Sequence, residues 1–305
     1  MTNTYGAIEK VAETKLAQCK ILDTWKDFSA FWTQTRSKDM DKQVELWLAS
    51  YMGKYPELLS KQIKSCVESN VSWQEIAKKI LQALPNRYQL MLRARNNISL
   101  IYRLICTKAM EGLKLDFDVL FVVYVGIGCG AGWATTYEKQ PAVLLGLENI
   151  AEEKWHTKRK LAGLISHEIG HLAHMKWRNE WKVFEEASED SIFRLYSEGF
   201  AQRCEHLILG GETWHMARSK DWVTWCERHE SWLAREFLKR IRMKASVTDF
   251  FGSWFAIRGK SQTGYFLGHG FVRRLERALG LRKAALLDID KIRRLGISYL
   301  ESISK

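Results

Sequence analysis

The segment His167-Glu168-Ile169-Gly170-His171 carries residue types and a spacing suited to metal-assisted hydrolysis. On a helix, the two histidines lie one turn apart on the same face, with Cβ atoms about 5–6 Å apart. Two imidazoles so placed reach one zinc ion at Zn–N distances of about 2.0–2.1 Å. Glu168 sits one step round the helix and addresses a water without occupying the metal, the position of a general base. The same helix is apolar at Leu161, Leu164, Ile165 and Leu172. Gly163, Ser166, Gly170 and Ala173 add a stripe of small residues that admits a close neighbour. Histidines buried on such a face are costly without partners, which favours a shared metal over two packed imidazoles.

A catalytic zinc takes three protein ligands and leaves a position for water. His174 lies too close along the same helix to complete a tetrahedron with His167 and His171. The extended pattern H-E-x-x-H-x-x-G-x-x-H also fails, because position 174 is His and position 177 is Trp. The third ligand must therefore come from another element. The stretch from Leu195 to Gly211 has helical periodicity and ends on a Gly-Gly stop, and it holds Glu198 between apolar turns, with Gly199 and Ala201 leaving room for packing. Glu185, Glu186 and Glu189 belong to an acidic, solvated connection, and Glu205 and His206 need a different helix crossing. Glu198 is the favoured ligand.

HEIGH followed 27 residues after its second histidine by the glutamate of Ser197-Glu198-Gly199-Phe200-Ala201 resembles the gluzincin zinc metallopeptidases. It looks most like the bacterial predicted zinc-dependent proteases that pair H-E-x-x-H with a downstream S/N-E-G-x-A. The resemblance spans roughly residues 117–279. It implies a zincin-like catalytic domain, Zn²⁺ held by His167, His171 and Glu198, Glu168 as catalytic base, and a peptide or protein substrate. Thermolysin-like members carry an Asp four residues after the third ligand to orient a zinc-bound imidazole; here that position is Gln202, a neutral acceptor, with Glu205 as a possible substitute. Such families also set an antiparallel edge strand beside the active helix, for which residues 142–147 are the candidate. Tyr265 and His269, one turn apart in Thr263-Gly-Tyr-Phe-Leu-Gly-His-Gly270, resemble the family's Tyr-x-x-Gly segment and are candidates to stabilise an oxyanion; Tyr196 is another.

Around these motifs the chain reads as α+β and mainly helical, with an N-terminal helical region over residues 1–112 and the catalytic region over residues 113–305. Ile8, Val11, Ala12, Leu16, Ile21, Leu22, Trp25 and Phe28 recur at helical spacing. Ser72 and Glu75 form a capping-box pattern for a helix that stops near Pro85, and a further helix runs from about Tyr88 to Glu111, ending at Gly112. Residues 117–127 read as a buried strand and 142–147 as a second short one. Between them Gly126, Gly128, Gly130 and Gly132 fit neither G-x-G-x-x-G nor a phosphate loop, and imply a turn between strands.

The chain has 305 residues, 46% hydrophobic, 27% charged and 12% aromatic, which excludes a disordered or collagenous protein. No apolar run approaches the roughly 20 residues of a membrane span. The charged amino terminus does not read as a signal peptide, so a cytoplasmic location is expected. Six scattered cysteines imply reduced thiols rather than a disulfide scaffold. Of the thirteen tryptophans, Trp214, Trp222, Trp225, Trp232 and Trp254 read as core before cleft wall. The net charge of +12 is compatible with nucleic acid, but no nucleic-acid motif accompanies it, and the basic run from Arg273 to Arg294 reads as exposed helix face. The leading expectation is a zinc-dependent peptidase. The alternatives are a metal-dependent regulator of one protein partner, and a basic nucleic-acid-binding protein with a vestigial metal site.

Overall fold

The computed structural model describes residues 17–179, 181, 184, 189–211 and 213–305. It is a mainly helical α+β fold whose small sheet has the order β1-β2-β4-β3. Strands β1 (Cys19–Asp23), β2 (Val119–Tyr124) and β4 (Gln140–Gly146) are mutually parallel, and β3 (Gly132–Tyr137) is antiparallel to β4. β2 is buried at all six positions, as its unbroken run of Val, Leu, Phe and Tyr requires of a central strand.

The first helical expectation changes at β1. Ile21 and Leu22 lie on a strand that pairs with Phe121 and Val122, while Trp25 and Phe28 lie on α1 (Trp25–Thr35). Ile8, Val11, Ala12 and Leu16 fall outside the described residues. A five-residue strand of Cys, Lys, Ile, Leu and Asp has too short a pattern to declare itself; the exposed edge of β2 selects it.

After α2 (Met40–Leu46) and α3 (Pro56–Glu68), a single helix α4 (Trp73–Leu113) runs for 41 residues. Ser72 caps it through a hydrogen bond from the Glu75 N–H, while the Glu75 carboxylate pairs with Lys78. The expected break at Pro85 does not occur. Proline removes one backbone donor and crowds the preceding turn. Buried Leu81 and Leu84 before it, and Met91, Ala94 and Ile98 after it, hold both halves to one core, so tertiary packing overrides the local penalty. The helix ends at Lys114 in the left-handed region rather than at Gly112.

Helix α5 (Leu147–Glu152) follows β4 and packs on α4. Next comes α6 (Lys158–Arg178), which carries the HEIGH segment, is capped by Thr157 and ends on left-handed Asn179. Helix α7 (Ser191–Leu209) is capped by Asp190, whose side chain accepts from the Phe193 N–H, and stops at Gly210 with φ 71°. The remaining helices are α8 (Lys220–Arg242), α9 (Thr263–Leu279), α10 (Leu281–Ala285) and α11 (Ile289–Ile303). Among the described residues no helix is long and apolar enough to cross a membrane.

The α6–α7–α9 stack forms through absent side chains. A Cβ on Gly170 of α6 would stand 2.8 Å from the Cys204 Cβ and 2.9 Å from the Ala201 Cα of α7. A Cβ on Gly199 of α7 would fall about 2 Å from the backbone of Gly268 on α9. Each helix thus rests on the backbone of the next.

One expectation about composition is revised by packing and another is met. Cys19 on β1 and Cys106 on α4 are joined as a disulfide with Cα atoms 6.5 Å apart, a pairing across 87 residues that no local spacing reveals. Cys66, Cys129, Cys204 and Cys226 are free. The basic segment lies as expected, with Arg274, Arg277, Lys283 and Lys291 exposed and Arg282 laid over the Trp177 ring at 5.6 Å.

Replacing Gly199 with Ala should destabilise the chain by about 3 kcal/mol or more, because the methyl meets backbone that no rotamer can clear. Denaturant unfolding measures this, and a change within about 0.5 kcal/mol would show that α7 and α9 do not approach as described.

Candidate metal centre

The close packing of α6 on α7 brings three donor atoms together. His167 Nε2 lies 3.2 Å from Glu198 Oε2 and 3.2 Å from His171 Nε2, and His171 Nε2 lies 3.5 Å from Glu198 Oε2. Three ligands bound to zinc at about 2.0–2.1 Å in tetrahedral array are separated by about 3.3–3.4 Å. The triangle fits a divalent ion without rearrangement. The donor set of two neutral nitrogens and one carboxylate oxygen also suits zinc. Burial opposes the charge on Glu198, but His171 and His167 outweigh it and hold the carboxyl well below its usual range.

Glu168 faces the same cleft from the next position on α6. Burial pushes its carboxyl up to about 7, with Glu198 adding to the rise and His171 and the Ala134 N–H opposing it. The contact with Ala134 identifies a neighbour that the sequence reading missed. The strand beside the cluster is β3, which begins inside the glycine-rich stretch. Residues 142–147 lie mostly on β4, an interior strand between β2 and β3, so they are not the edge. Gly132 is what lets β3 settle on α6: a Cβ there would stand 2.6 Å from Leu164 Cδ1 and 2.7 Å from Glu168 Oε1. Behind this turn, the Glu148 carboxylate accepts the Gly126 and Gly128 N–H groups and fixes where β3 starts.

The two residues of the Tyr-x-x-Gly segment separate. Tyr265 is buried against the cluster, its ring 5.5 Å from that of His167, with its hydroxyl near Glu198. His269 does not face the cleft. Its ring packs 4.3 Å from His206 and 4.9 Å from Trp214, in a separate part of the core. One helical turn does place both on one side of α9, but the cluster lies beside Tyr265, while His206 and Trp214 lie beside His269. Tyr196 is also engaged elsewhere, donating to the Ala284 carbonyl at 2.7 Å and accepting from His174 Nε2 at 3.0 Å. The same contact accounts for His174, which stacks on Phe200 away from the three donors.

His215 takes the position that His269 does not. It lies on a short 3₁₀ turn over residues 215–217, with its ring 4.5 Å from His167 and stacked on Tyr265 at 4.2 Å. Left-handed Met216, φ 54°, turns the chain so that both residues line the cleft. Gln202 serves this turn rather than an imidazole: its Oε1 accepts the His215 backbone N–H and its Nε2 donates to the Thr213 carbonyl. Nothing local in the sequence marks His215, which sits outside any amphipathic pattern. Glu205, fully buried on α7, lies behind His167 and His215, and burial drives its carboxyl well above the usual range.

The cluster opens into a cleft of about 540 Å³ lined by Gly130–Thr136 on one side and by Trp155, Trp181, Phe184, Phe251 and Trp254 on others. Trp254 is thus a wall residue, 65% exposed, whereas Trp214 and Trp222 form a small second core with Cys226. Of the acidic rivals, Glu189 lies exposed before α7, and Glu185 and Glu186 fall outside the described residues. Comparison with protein-family models, with curated proteins and with solved structures gives no match to this chain.

Glu198→Ala should reduce bound zinc from one ion per chain to less than about a tenth at equimolar metal, read by elemental analysis after gel filtration. Full retention would move the third ligand elsewhere.

Proposed function

We propose that the chain is a zinc-dependent peptidase with a zincin-like catalytic region. The observation that carries this reading is the triangle of His167, His171 and Glu198 donors, whose sides of 3.2, 3.2 and 3.5 Å match the ligand separations of tetrahedral zinc, with Glu168 beside it. When bound, zinc supplies Lewis acidity, lowering the pKa of a water to about 7 and polarising a carbonyl oxygen. Glu168 accepts the proton of the attacking water on its carboxylate and later returns it to the leaving amine nitrogen. Its elevated proton affinity suits both transfers. Tyr265, buried beside the cluster, is the donor for the oxygen where negative charge develops, and losing one such donor costs about 10²–10³ in rate.

The outer edge of β3 supports a peptide substrate. Its residues Gly132–Thr136 line the cleft, and an extended chain laid along the strand pairs its backbone with the free ladder positions. The aromatic walls then receive alternate side chains.

The test pairs wild type with Glu168→Gln. Both should bind one zinc, while hydrolysis of a mixed peptide library, followed by mass spectrometry, falls by at least about 10³-fold in the variant. Equal cleavage by both would remove Glu168 from the chemistry. A zinc-loaded wild type that cleaves no peptide would overturn the peptidase reading in favour of a metal-dependent regulator.

A further inference from the structure

A buried carboxylate behind the metal-facing side of α6 has no role in the chemistry described so far. Glu205 is 0% exposed and forms no ion pair among the described residues. Both of its oxygens are buried without hydrogen-bond geometry to any described group, and so are Nδ1 of His167 and Nδ1 of His215. A carboxylate oxygen of Glu205 and one ring nitrogen from each histidine lie within 4.8 Å of one another. His167 already directs Nε2 toward Glu198 and His171, so Nδ1 is its remaining polar atom.

We infer that Glu205 is a positioning residue that holds two imidazoles at once, accepting Nδ1–H from the metal-binding His167 and from the cleft residue His215. The inference rests on the assignment of His167, His171 and Glu198 as the metal site. The acceptance is direct or through one trapped water, since separations beyond about 3.5 Å are commonly bridged. Two ring nitrogens buried in one pocket without partners would be costly, and a carboxylate that Thr213 and Gln202 also approach satisfies both by accepting their N–H groups.

The surroundings are shaped for this carboxylate. A Cβ on Gly163 of α6 would stand 3.3 Å from Glu205 Oε1 and 3.5 Å from the Met216 N, so the missing side chain makes the space in which α7 and the 215–217 turn meet α6. Thr213 and Gln202 approach the same carboxylate, and Gln202 also anchors the His215 backbone. The consequence is a shared tautomer. With Nδ1 protonated in both rings, His167 offers the Nε2 lone pair that a metal requires, and His215 is fixed in orientation beside Tyr265. The same three residues could instead grip a second ion, with His167 shared between two metals, and stoichiometry separates the two arrangements.

The test uses the full chain, Glu205→Gln and Glu205→Ala. Zinc affinity is measured by competition with a chromophoric chelator, and ring protonation by ¹⁵N-histidine NMR of metal-free and zinc-loaded protein. Wild type should bind one zinc and show Nδ1-bound protons on both His167 and His215. In Glu205→Gln, which keeps the shape of the side chain, zinc affinity should fall by about 10–100-fold and the His215 ring signals should shift. Unchanged affinity together with unchanged ring signals in Glu205→Gln would overturn the inference. So would two zinc ions per wild-type chain, one of them lost in the variant. If Glu205→Ala does not fold, the isosteric Gln variant decides alone. None of these readouts depends on peptide cleavage, so an inactive but zinc-binding wild type would remove the peptidase reading and leave this inference standing.

Discussion

Everything at this centre depends on how closely two helix backbones approach. Imidazoles and carboxylates are short levers, and three donor atoms meet within 3.5 Å only if the helices that carry them nearly touch. Gly170 facing Ala201 and Cys204 permits that contact between α6 and α7. Gly199 against Gly268 extends it to α9, which delivers Tyr265. A single methyl at either contact would separate the elements by more than a metal–ligand bond tolerates.

The same closeness sets the electrostatics. His167 and Glu168 are buried and His171 and Glu198 only partly open to the cleft, so these groups act on one another more strongly than they would in water. Glu198 remains ionised because two imidazoles adjoin it, whereas Glu168, with less compensation, rises to about 7. Two carboxyl groups on neighbouring helices are thereby held at opposite ends of the scale, the condition under which one binds a cation and the other exchanges a proton.

The helical first third is part of this scaffold. β1 supplies the outermost parallel strand, and α4 passes beneath α5, α6 and α7 as one long support. The glycine-rich turn, tied down by Glu148, lays β3 across α6 and forms one wall of the cleft. The aromatic residues of that cleft come from five separate segments, so its shape is a property of the whole fold.

The sequence alone determined the part of the centre that is local. His167, Glu168 and His171 are fixed relative to one another by helical geometry, which spacing encodes directly. Glu198 was legible for a related reason, because a glycine beside a helical carboxylate marks where another backbone must pass. The buried strand β2 was legible because its apolar run is continuous. What only tertiary structure decided is every contact made across elements. β3 was hidden because it begins at Gly132, inside a glycine-rich stretch that reads as a turn until α6 is packed against it. The helix through Pro85 was hidden because packing, not propensity, carries it unbroken across the proline. His215 and Glu205 were hidden, and His269 was misplaced, for one reason: which way a side chain faces depends on what packs behind it, and that neighbour lies far away in the chain.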